Sequence, residues 1–484
     1  VYRVKDDRKI ACDVDLIDNL TDGYEEISYY DISDDETQVA EARTAIVLNL
    51  PALDEGTTYR IDISKDLSAN NGLKMGVNYS VYFKTGAGPA GDAVITDTGS
   101  ETKISIINIS ASTDSQGRTS AAITQKQVTD ALAAVSGTNA KPVIEINITT
   151  PAGATAVETN IPKAAMDEIV NGKTQSMTVS SSVASVTFDQ DALATIADQA
   201  PSGNVTITEE RVNVATLSTE SQEQVGDHPV YNFSVACGDN TITQFGGNVT
   251  VSIPYTLAEG EDANDIIIYY VKADGTLAVV KNCVYDQTSG KVVFITDHFS
   301  TYAVGYNQVE FSDVSGWYTD YVNYLAARNI VNGKGGSTFA PLASITRAEF
   351  AQILANMSGV DLSAYTSSSF SDVSAGDWYC HAVAWAYENG VVQGYNGKYN
   401  PNAYVTRQDI AVMINRYAQK IAQYDLPVSV SEITFADQNC ISSYALDAVS
   451  AMQQAGIISG KSNNTFDPTA NATRAECAKM IALL

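Results

Sequence analysis

The sequence predicts a multidomain chain: a β-sandwich at the N-terminus, a middle that is first α+β and then β-rich, and an all-helical C-terminal region. Three observations predict it. Short alternating or uniformly apolar segments, broken by turn residues, fill the first 86 positions. From Glu101 such segments alternate with helical periodicities, and from Pro229 they stand alone again. From Gln308 a pattern recurs after 59 and then 65 residues, with two helical periodicities in each copy. At 484 residues and 44% hydrophobic, the chain can bury several cores.

In residues 1–86, positions 45–48 form an apolar run, and 59–63 and 79–83 alternate. Asn70-Asn71-Gly72 has turn chemistry. The ending Asn-Tyr-Ser-Val-Tyr-Phe-Lys-Thr-Gly resembles the last strand of bacterial Ig-like modules, which implies an Ig-like β domain here; an unrelated sandwich is the alternative. Residues 87–100 are Gly- and Ala-rich and read as a linker.

Residues 101–228 read as α+β. Helices are expected at 125–135, 162–170 and 189–198, and strands at 103–109, 142–148, 176–183 and 204–207, in an order that suggests two degenerate units. Residues 229–306 are β-rich. Phe233 and Val235 alternate, as do Val249, Val251 and Ile253, and Ala273-Asp274-Gly275 marks a hairpin between 266–271 and 277–280. Segments 292–296 and 301–304 complete it. The closing His298-Phe299-Ser300-Thr301-Tyr302-Ala303-Val304 is similar to the end of a β-rich module.

The C-terminal repeats are organised around one box: Thr346-Arg347-Ala348-Glu349, Thr406-Arg407-Gln408-Asp409 and Thr473-Arg474-Ala475-Glu476. Apolar residues follow at i, i+3, i+4 and i+7, beginning with Phe350, Ile410 and Cys477, so each box starts an amphipathic helix. Thr is a good N-cap, and a carboxylate three residues on completes a capping box. A plain helix start accounts for Thr and Glu. It does not account for an Arg just past the cap, where a cation opposes the macrodipole unless an anion sits between it and free N–H groups. Upstream of each box the match continues through Gly333, Gly394 and Gly460, then Val322, Val383 and Val449, then Trp317, Trp378 and Tyr444. Each unit opens with Phe-x-Asp: Phe311/Asp313, Phe370/Asp372 and Phe435/Asp437. The first helix is expected to bury Val322/Leu325/Ala326, Val383/Ala386/Tyr387 and Val449/Met452/Gln453. Each repeat has faces that only a neighbour can cover, so 308–484 is expected to fold as one helical unit.

These motifs resemble the S-layer homology (SLH) domain in three tandem copies, at 307–364, 365–428 and 429–484. The resemblance implies a pseudo-threefold SLH trimer whose grooves between repeats bind the pyruvylated secondary cell-wall polymer of a Gram-positive bacterium. It places Arg347, Arg407, Arg474, Asp313, Asp372, Asp437, Trp317, Trp378, Gly333, Gly394 and Gly460 at those grooves. Arg suits a ketal-pyruvate carboxylate because its planar fork binds two oxygens at once; alternatively, the Asp residues hold the Arg residues internally. Trp317 and Trp378 are either sugar platforms or core packing. Copy three carries Tyr444 for Trp and Gln438 for Val, and copy two carries Gln-Asp for Ala-Glu, so their grooves are expected to be weaker or structural.

The net charge is -28. From Gln308 onward 10 Lys+Arg face 15 Asp+Glu, and before it 19 face 42. Such acidity excludes nucleic acid as a partner. It suits divalent cations, yet no EF-hand loop marks a calcium site, and no cofactor is implied. No stretch reaches the ~20 apolar residues that span a membrane. The chain reads as a processed or partial product starting inside a strand at Val1. Six Cys form no C-x-x-C pair; Cys477 reads as a core thiol, and Cys237 and Cys283 either pair or stay free. The three His (His228, His298, His381) join no catalytic motif, and Glu209-Glu210 is an isolated acidic pair.

These readings predict a non-enzymatic, extracellular surface protein, held on the cell wall through its SLH repeats, as an S-layer or filament subunit that self-assembles into a lattice. The alternatives are the wall-anchoring tail of a larger exported enzyme, and an adhesin.

Overall fold

The computed structural model describes residues 102–484 except 116–117 and 136–140, together with seven strands nearer the N-terminus. These are β1 (Tyr2–Arg3), β2 (Arg8–Lys9), β3 (Asp13–Asp18), β4 (Thr44–Asn49), β5 (Thr58–Ile63), β6 (Tyr79–Lys84) and β7 (Val94–Asp97). The expected strands at 45–48, 59–63 and 79–83 fall within β4, β5 and β6. The turn at Asn70–Gly72 lies outside the described residues. The chain forms two compact units: Val1–Glu210 with Phe233–Val249 and Asp297–Phe299, and Arg211–Asn232 with Thr250–Thr296 and Ser300–Leu484.

In the first unit β3 pairs only with β4, antiparallel, among the described strands. Strands β1, β5, β6 and β7 hydrogen-bond in succession, and β7 then pairs with β8 (Thr102–Ser110). The segment expected as a linker therefore contributes a strand, and β6 and β8 lie in one sheet. Beyond β8 come β9 (Ser112–Thr113), β10 (Thr119–Ala122), α1 (Gln125–Val135), β11 (Lys141–Thr149), β12 (Ala156–Pro162), α2 (Lys163–Asn171), β13 (Ser176–Ser180), β14 (Ser185–Asp189), α3 (Gln190–Gln199) and β15 (Asn204–Val212). The strand–strand–helix order occurs three times, ending in α1, α2 and α3, where two units were expected. Strand β14 was missed because the hairpin turn Ser181–Ala184 interrupts what reads as one run at 176–183, and β12 because Glu158, Thr159 and Asn160 dilute its apolar alternation. Strands β8, β11 and β13 are parallel, and β14 returns antiparallel to β13. The crossovers are the helices, as parallel pairing requires. Ile144, Ile146, Met177 and Phe188 from the strands and Val128, Met166, Ile169 and Leu193 from the helices are buried. Strand β16 (Val230–Cys237) turns into β17 (Asn240–Ile242), pairing Val235 with Ile242, and β18 (Gln244–Pro254) follows. Phe299 packs on Phe188, Phe233 and Phe245 with ring centroids 5.7, 5.5 and 4.9 Å away.

The second unit begins at Arg211 and contains α4 (Thr219–Val225), β19 (Ile266–Val271), β20 (Leu277–Val279), β21 (Val284–Asp286), most of β22 (Lys291–His298) and β23 (Thr301–Tyr306). The predicted hairpin joins β19 to β20, with Tyr269 opposite Val279; Gly275 sits at φ +83° and Asp274 accepts the Thr276 N–H at 3.0 Å. Six helices follow: α5 (Thr319–Ala327), α6 (Arg347–Ser358), α7 (Cys380–Glu388), α8 (Arg407–Lys420), α9 (Leu446–Gln454) and α10 (Arg474–Ala482). The change from strands to helices thus comes inside this unit, between Tyr306 and Thr319.

One alternative left open by the sequence is resolved and one expectation is corrected. Cys237 and Cys283 are free thiols. The first donates to Ser202 O at 3.0 Å and the second to Val280 O at 3.1 Å. Tyr387, expected in the core of α7, is 40% exposed, its ring resting edge-on against Phe370. Cys477 is buried, as its place in the periodicity predicts.

Candidate ligand grooves between the helical repeats

Each box starts its helix as the residues dictate. Thr346 Oγ1 accepts the Glu349 N–H at 3.3 Å, and Glu349 Oε2 accepts the Thr346 N–H at 3.0 Å, a complete capping box. Thr473 and Glu476 repeat it. Asp409, one methylene shorter, accepts the Thr406 hydroxyl at 2.8 Å, and the reciprocal bond to the backbone is absent.

The premise that N–H groups beside the Arg are free for an anion does not hold. The Arg347 and Ala348 N–H groups donate to Ala403 O and Pro401 O of the second repeat at 2.9 and 3.0 Å. Those of Arg407 and Gln408 donate to Ala470 O and Pro468 O of the third repeat, and those of Arg474 and Ala475 return to Ala343 O and Pro341 O of the first. Inside this ring lies a second one: Val405 N–H to Ile345 O, Ala472 N–H to Val405 O, and Ile345 N–H to Ala472 O, at 3.0, 3.0 and 3.1 Å. Each helix start is therefore satisfied by the loop of the repeat that follows it, and the first repeat closes the ring by serving the third. The helices follow the same order, with α7 packed on α6, α9 on α8 and α5 on α10.

The Arg side chains cross the same joints. Arg347 donates from Nε to Tyr399 O (2.9 Å) and from Nη2 to Gln393 O (3.0 Å). Arg474 donates to Phe339 O (2.8 Å) and Asn332 O (2.7 Å). Arg407 donates to Phe466 O (2.7 Å) and pairs with Glu476 at 2.5 Å. Each guanidinium also lies over the ring of its carbonyl partner, Tyr399, Phe339 or Phe466, 4.4–5.2 Å from the centroid. Burial pulls the Arg474 pKa below its ordinary value, against the opposing field of Glu349.

Asp313, Asp372 and Asp437 do not salt-bridge the Arg residues. Each carboxylate accepts two backbone N–H groups of its own repeat's loop: Phe339 and Ala340, Tyr399 and Asn400, Phe466 and Asp467, all at 2.7–2.8 Å. For Asp313 the Phe339 N–H draws the pKa down. At Asp372 and Asp437 partial burial raises it, the loop N–H groups outweigh that, and the net is again low. The glycines serve the same loops. A Cβ on Gly394 would stand 2.3 Å from Phe370 and 2.4 Å from Lys398 O, and one on Gly333 would stand 2.6 Å from Thr338 O. At Gly460 the closest approach is 3.1 Å, to Phe435. Phe-x-Asp thus folds back on the Gly loop and fixes its shape.

Trp317 and Trp378 are 57% and 63% exposed, and Tyr444 is 57% exposed, so these aromatics face solvent instead of filling the core. Trp317 lines a groove of about 200 Å³ with Arg407, Gly460, Lys461, Glu476 and Lys479. All three repeats contribute to it. Its chemistry is an open aromatic face beside cations, which suits a sugar ring bearing an anionic group. Sequence reasoning missed Lys461 and Lys479. Neither recurs in all three repeats, so the search for repeated residues passed over them.

Sequence reasoning also missed Arg328, which is fully buried. It donates to Cys283 O (2.7 Å), Asn264 O (2.8 Å), Ile266 O (2.8 Å) and Tyr324 O (2.9 Å). Lys281 Nζ caps its own carbonyl at 2.7 Å, and Tyr324 donates to Cys283 O at 3.1 Å. The end of α5 is thereby fastened to the strands that precede the repeats. The signal lay in a difference: Asn389 and Ala455 hold the equivalent places.

Three helical repeats closed on one another, with an aromatic and cationic cleft at a joint between them, define a repeat-built module. The S-layer homology domain family matches residues 310–351, 369–411 and 434–478, and the C-terminal region carries three S-layer homology domains. An amylopullulanase of Thermoanaerobacterium thermosulfurigenes is 32% identical over 248 residues, covering 50% of this chain and 13% of that protein. That match is longer than the stretch from Gln308 to Leu484, so it runs into the strands ahead of the repeats. The surface-layer 125 kDa protein of Lysinibacillus sphaericus is 28% identical over 35% of this chain and 14% of its own length. The S-layer protein sap of Bacillus anthracis is 27% identical over 34% of this chain and 20% of its own length. The chain spans a fifth or less of each of these relatives. Among the described residues no helix is long and apolar enough to cross a membrane, and no group of three or more His, Cys, Asp or Glu is placed to hold a metal ion.

Proposed function

We propose that this chain belongs to a non-enzymatic surface protein held on the cell wall by non-covalent binding of a secondary wall polymer to its S-layer homology domains, which form a pseudo-threefold trimer. The S-layer homology domains themselves mark a cell-surface or cell-wall location. The observation that carries the binding reading is the groove in which exposed Trp317 faces Arg407, Lys461 and Lys479. In a segment of net negative charge, that is where a polyanion would be held. Arg407 joins fold and binding: its Nε holds the neighbouring loop, and its side chain lines the groove. Asp313, Asp372, Asp437 and the three glycines shape the loops around the ligand. The anionic group proposed is a ketal-pyruvate carboxylate.

Likeness to S-layer proteins supports self-assembly into a lattice with the β-rich segments as its body; the Ig-like reading of residues 1–86 rests on the resemblance of their closing segment, 78–86. The second reading, an anchoring part of a larger exported enzyme, is favoured by one observation: the amylopullulanase match covers half of this chain and 13% of that protein. The binding test is co-sedimentation of the full chain with purified wall sacculi, intact and stripped of their secondary polymer. Binding to intact sacculi alone is expected. Equal binding to stripped sacculi would refute polymer recognition.

A further inference from the structure

We propose that the three grooves are unequal: the Trp317 groove binds tightest, the Trp378 groove binds more weakly, and the Tyr444 groove is closed, so one chain takes up two ligands. This rests on the reading that the grooves bind an anionic sugar.

Every groove has the same plan. The aromatic comes from one repeat, the Gly loop and box carboxylate from the repeat before it, and the Arg from the third. In the Trp317 groove these are Gly460, Glu476 and Arg407. At the Trp378 groove Arg474 donates to Asn332 O beside Gly333, and α7 packs on α6, which starts with the box of Glu349. At the Tyr444 groove Arg347 donates to Gln393 O beside Gly394, and Tyr444 meets Asp409.

The charges differ on that plan. In the Trp317 groove Arg407 pairs with Glu476 and Lys461 with Asp467 at 3.1 Å, while Lys479 donates to Ser459 Oγ and stands, among the described residues, as the lysine with no carboxylate of its own. At the Trp378 groove Arg474 and Lys334 face Glu349, Lys334 is already paired with that carboxylate, and Gln352 stands where Lys479 does. At the Tyr444 groove Tyr395 replaces the loop lysine and Val412 replaces Lys479, so no lysine takes part; the cations are Arg347, tied to backbone carbonyls, and Arg416, which donates to Gln393 Oε1 at 3.4 Å. Attraction for an anion falls in that order.

The third groove is also bridged by a hydrogen bond that ties its aromatic to its carboxylate. The Tyr444 hydroxyl donates to Asp409 Oδ1 at 2.8 Å. The two residues that depart from the pattern, Tyr for Trp and Asp for Glu, therefore meet in space. Asp409 is too short to close its capping box and holds the Thr406 and Tyr444 hydroxyls instead. Partial burial and the bond to Asp409 push the Tyr444 pKa up to about 12, so the link survives across the neutral range.

The test is isothermal titration of the full chain with a methyl hexosaminide carrying one pyruvate ketal, against the same sugar without the ketal. Two sites are expected for the ketal sugar. Lys479→Gln should weaken the tighter site about fivefold, as loss of one half-exposed cation does. Lys334→Gln should weaken only the other site, and Tyr395→Ala should change neither. Three sites, or loss of binding in Tyr395→Ala, would overturn the closed groove. A tighter site untouched by Lys479→Gln and Lys461→Gln would overturn the ranking. Absence of heat with the ketal sugar would refute the binding reading itself and this inference with it.

Discussion

Arg328→Met should uncouple the helical repeats from the strands before them. The methionine keeps most of the buried volume and removes every guanidinium bond. Cys283 O retains the Tyr324 hydroxyl at 3.1 Å, but Ile266 O and Asn264 O lose the donors that now reach them at 2.8 Å. A buried acceptor left unpaired costs about 1–3 kcal/mol, so two of them set a loss of roughly 2–6 kcal/mol. Methionine does not carry the desolvation penalty of a buried charge, which places the net nearer the lower half of that range. At about 2–4 °C per kcal/mol for a domain of this size, the second unit's transition should fall by roughly 5–12 °C. Differential scanning calorimetry of the full chain is the assay. The wild-type second unit should melt in one transition, and the variant's should move down and separate into strand and helix components. A shift under about 2 °C with one undivided transition would refute the reasoning. The same joint revises the expectation that 308–484 is self-sufficient: excised, that fragment leaves Arg328 without the Cys283, Asn264 and Ile266 carbonyls.

Two further outcomes follow from buried groups. Glu209 is buried with Oε1 unpaired, its other oxygen bonded to Ser181 Oγ at 2.5 Å, and burial raises its pKa from 4.5 to about 8. The fold therefore holds a proton that the unfolded chain releases, so stability present below pH 4.5 is lost as pH rises to about 8 and levels off above it; Glu209→Gln should flatten that slope in thermal melts of the first unit's transition. Gly394→Ala places a Cβ 2.3 Å from Phe370 and 2.4 Å from a backbone carbonyl, whereas Gly460→Ala meets nothing closer than 3.1 Å. Urea unfolding should show the first costing about 1–3 kcal/mol or more and the second clearly less; equal costs would contradict the loop packing.

Local chemistry was legible in the sequence. The Thr–Glu capping boxes, the apolar faces led by Phe350, Ile410 and Cys477, and α1 at Gln125–Val135 depend on neighbours a few residues away. What lay hidden depends on distant pairs. Arg347 was seen as a cation beside free N–H groups, but those donors are taken by Ala403 and Pro401 from the next repeat. The Asp of Phe-x-Asp was given to ligand or Arg, and it holds a loop 26 to 30 residues ahead. Strand β7 was obscured by the Gly-rich composition around it. Repetition exposed what the three copies share and concealed what distinguishes them: Lys479, Arg328 and the meeting of Tyr444 with Asp409.

The central claim is that the grooves hold the carboxylate of a pyruvate ketal on a wall polymer. Titration of the full chain with purified polymer, before and after mild-acid removal of the ketal, tests it most directly. A charge-assisted hydrogen bond is worth roughly 1.5–3 kcal/mol, so removal should weaken binding by about tenfold to a hundredfold. Affinity unchanged by removal, with Trp317→Ala also binding as the wild type does, would contradict the account.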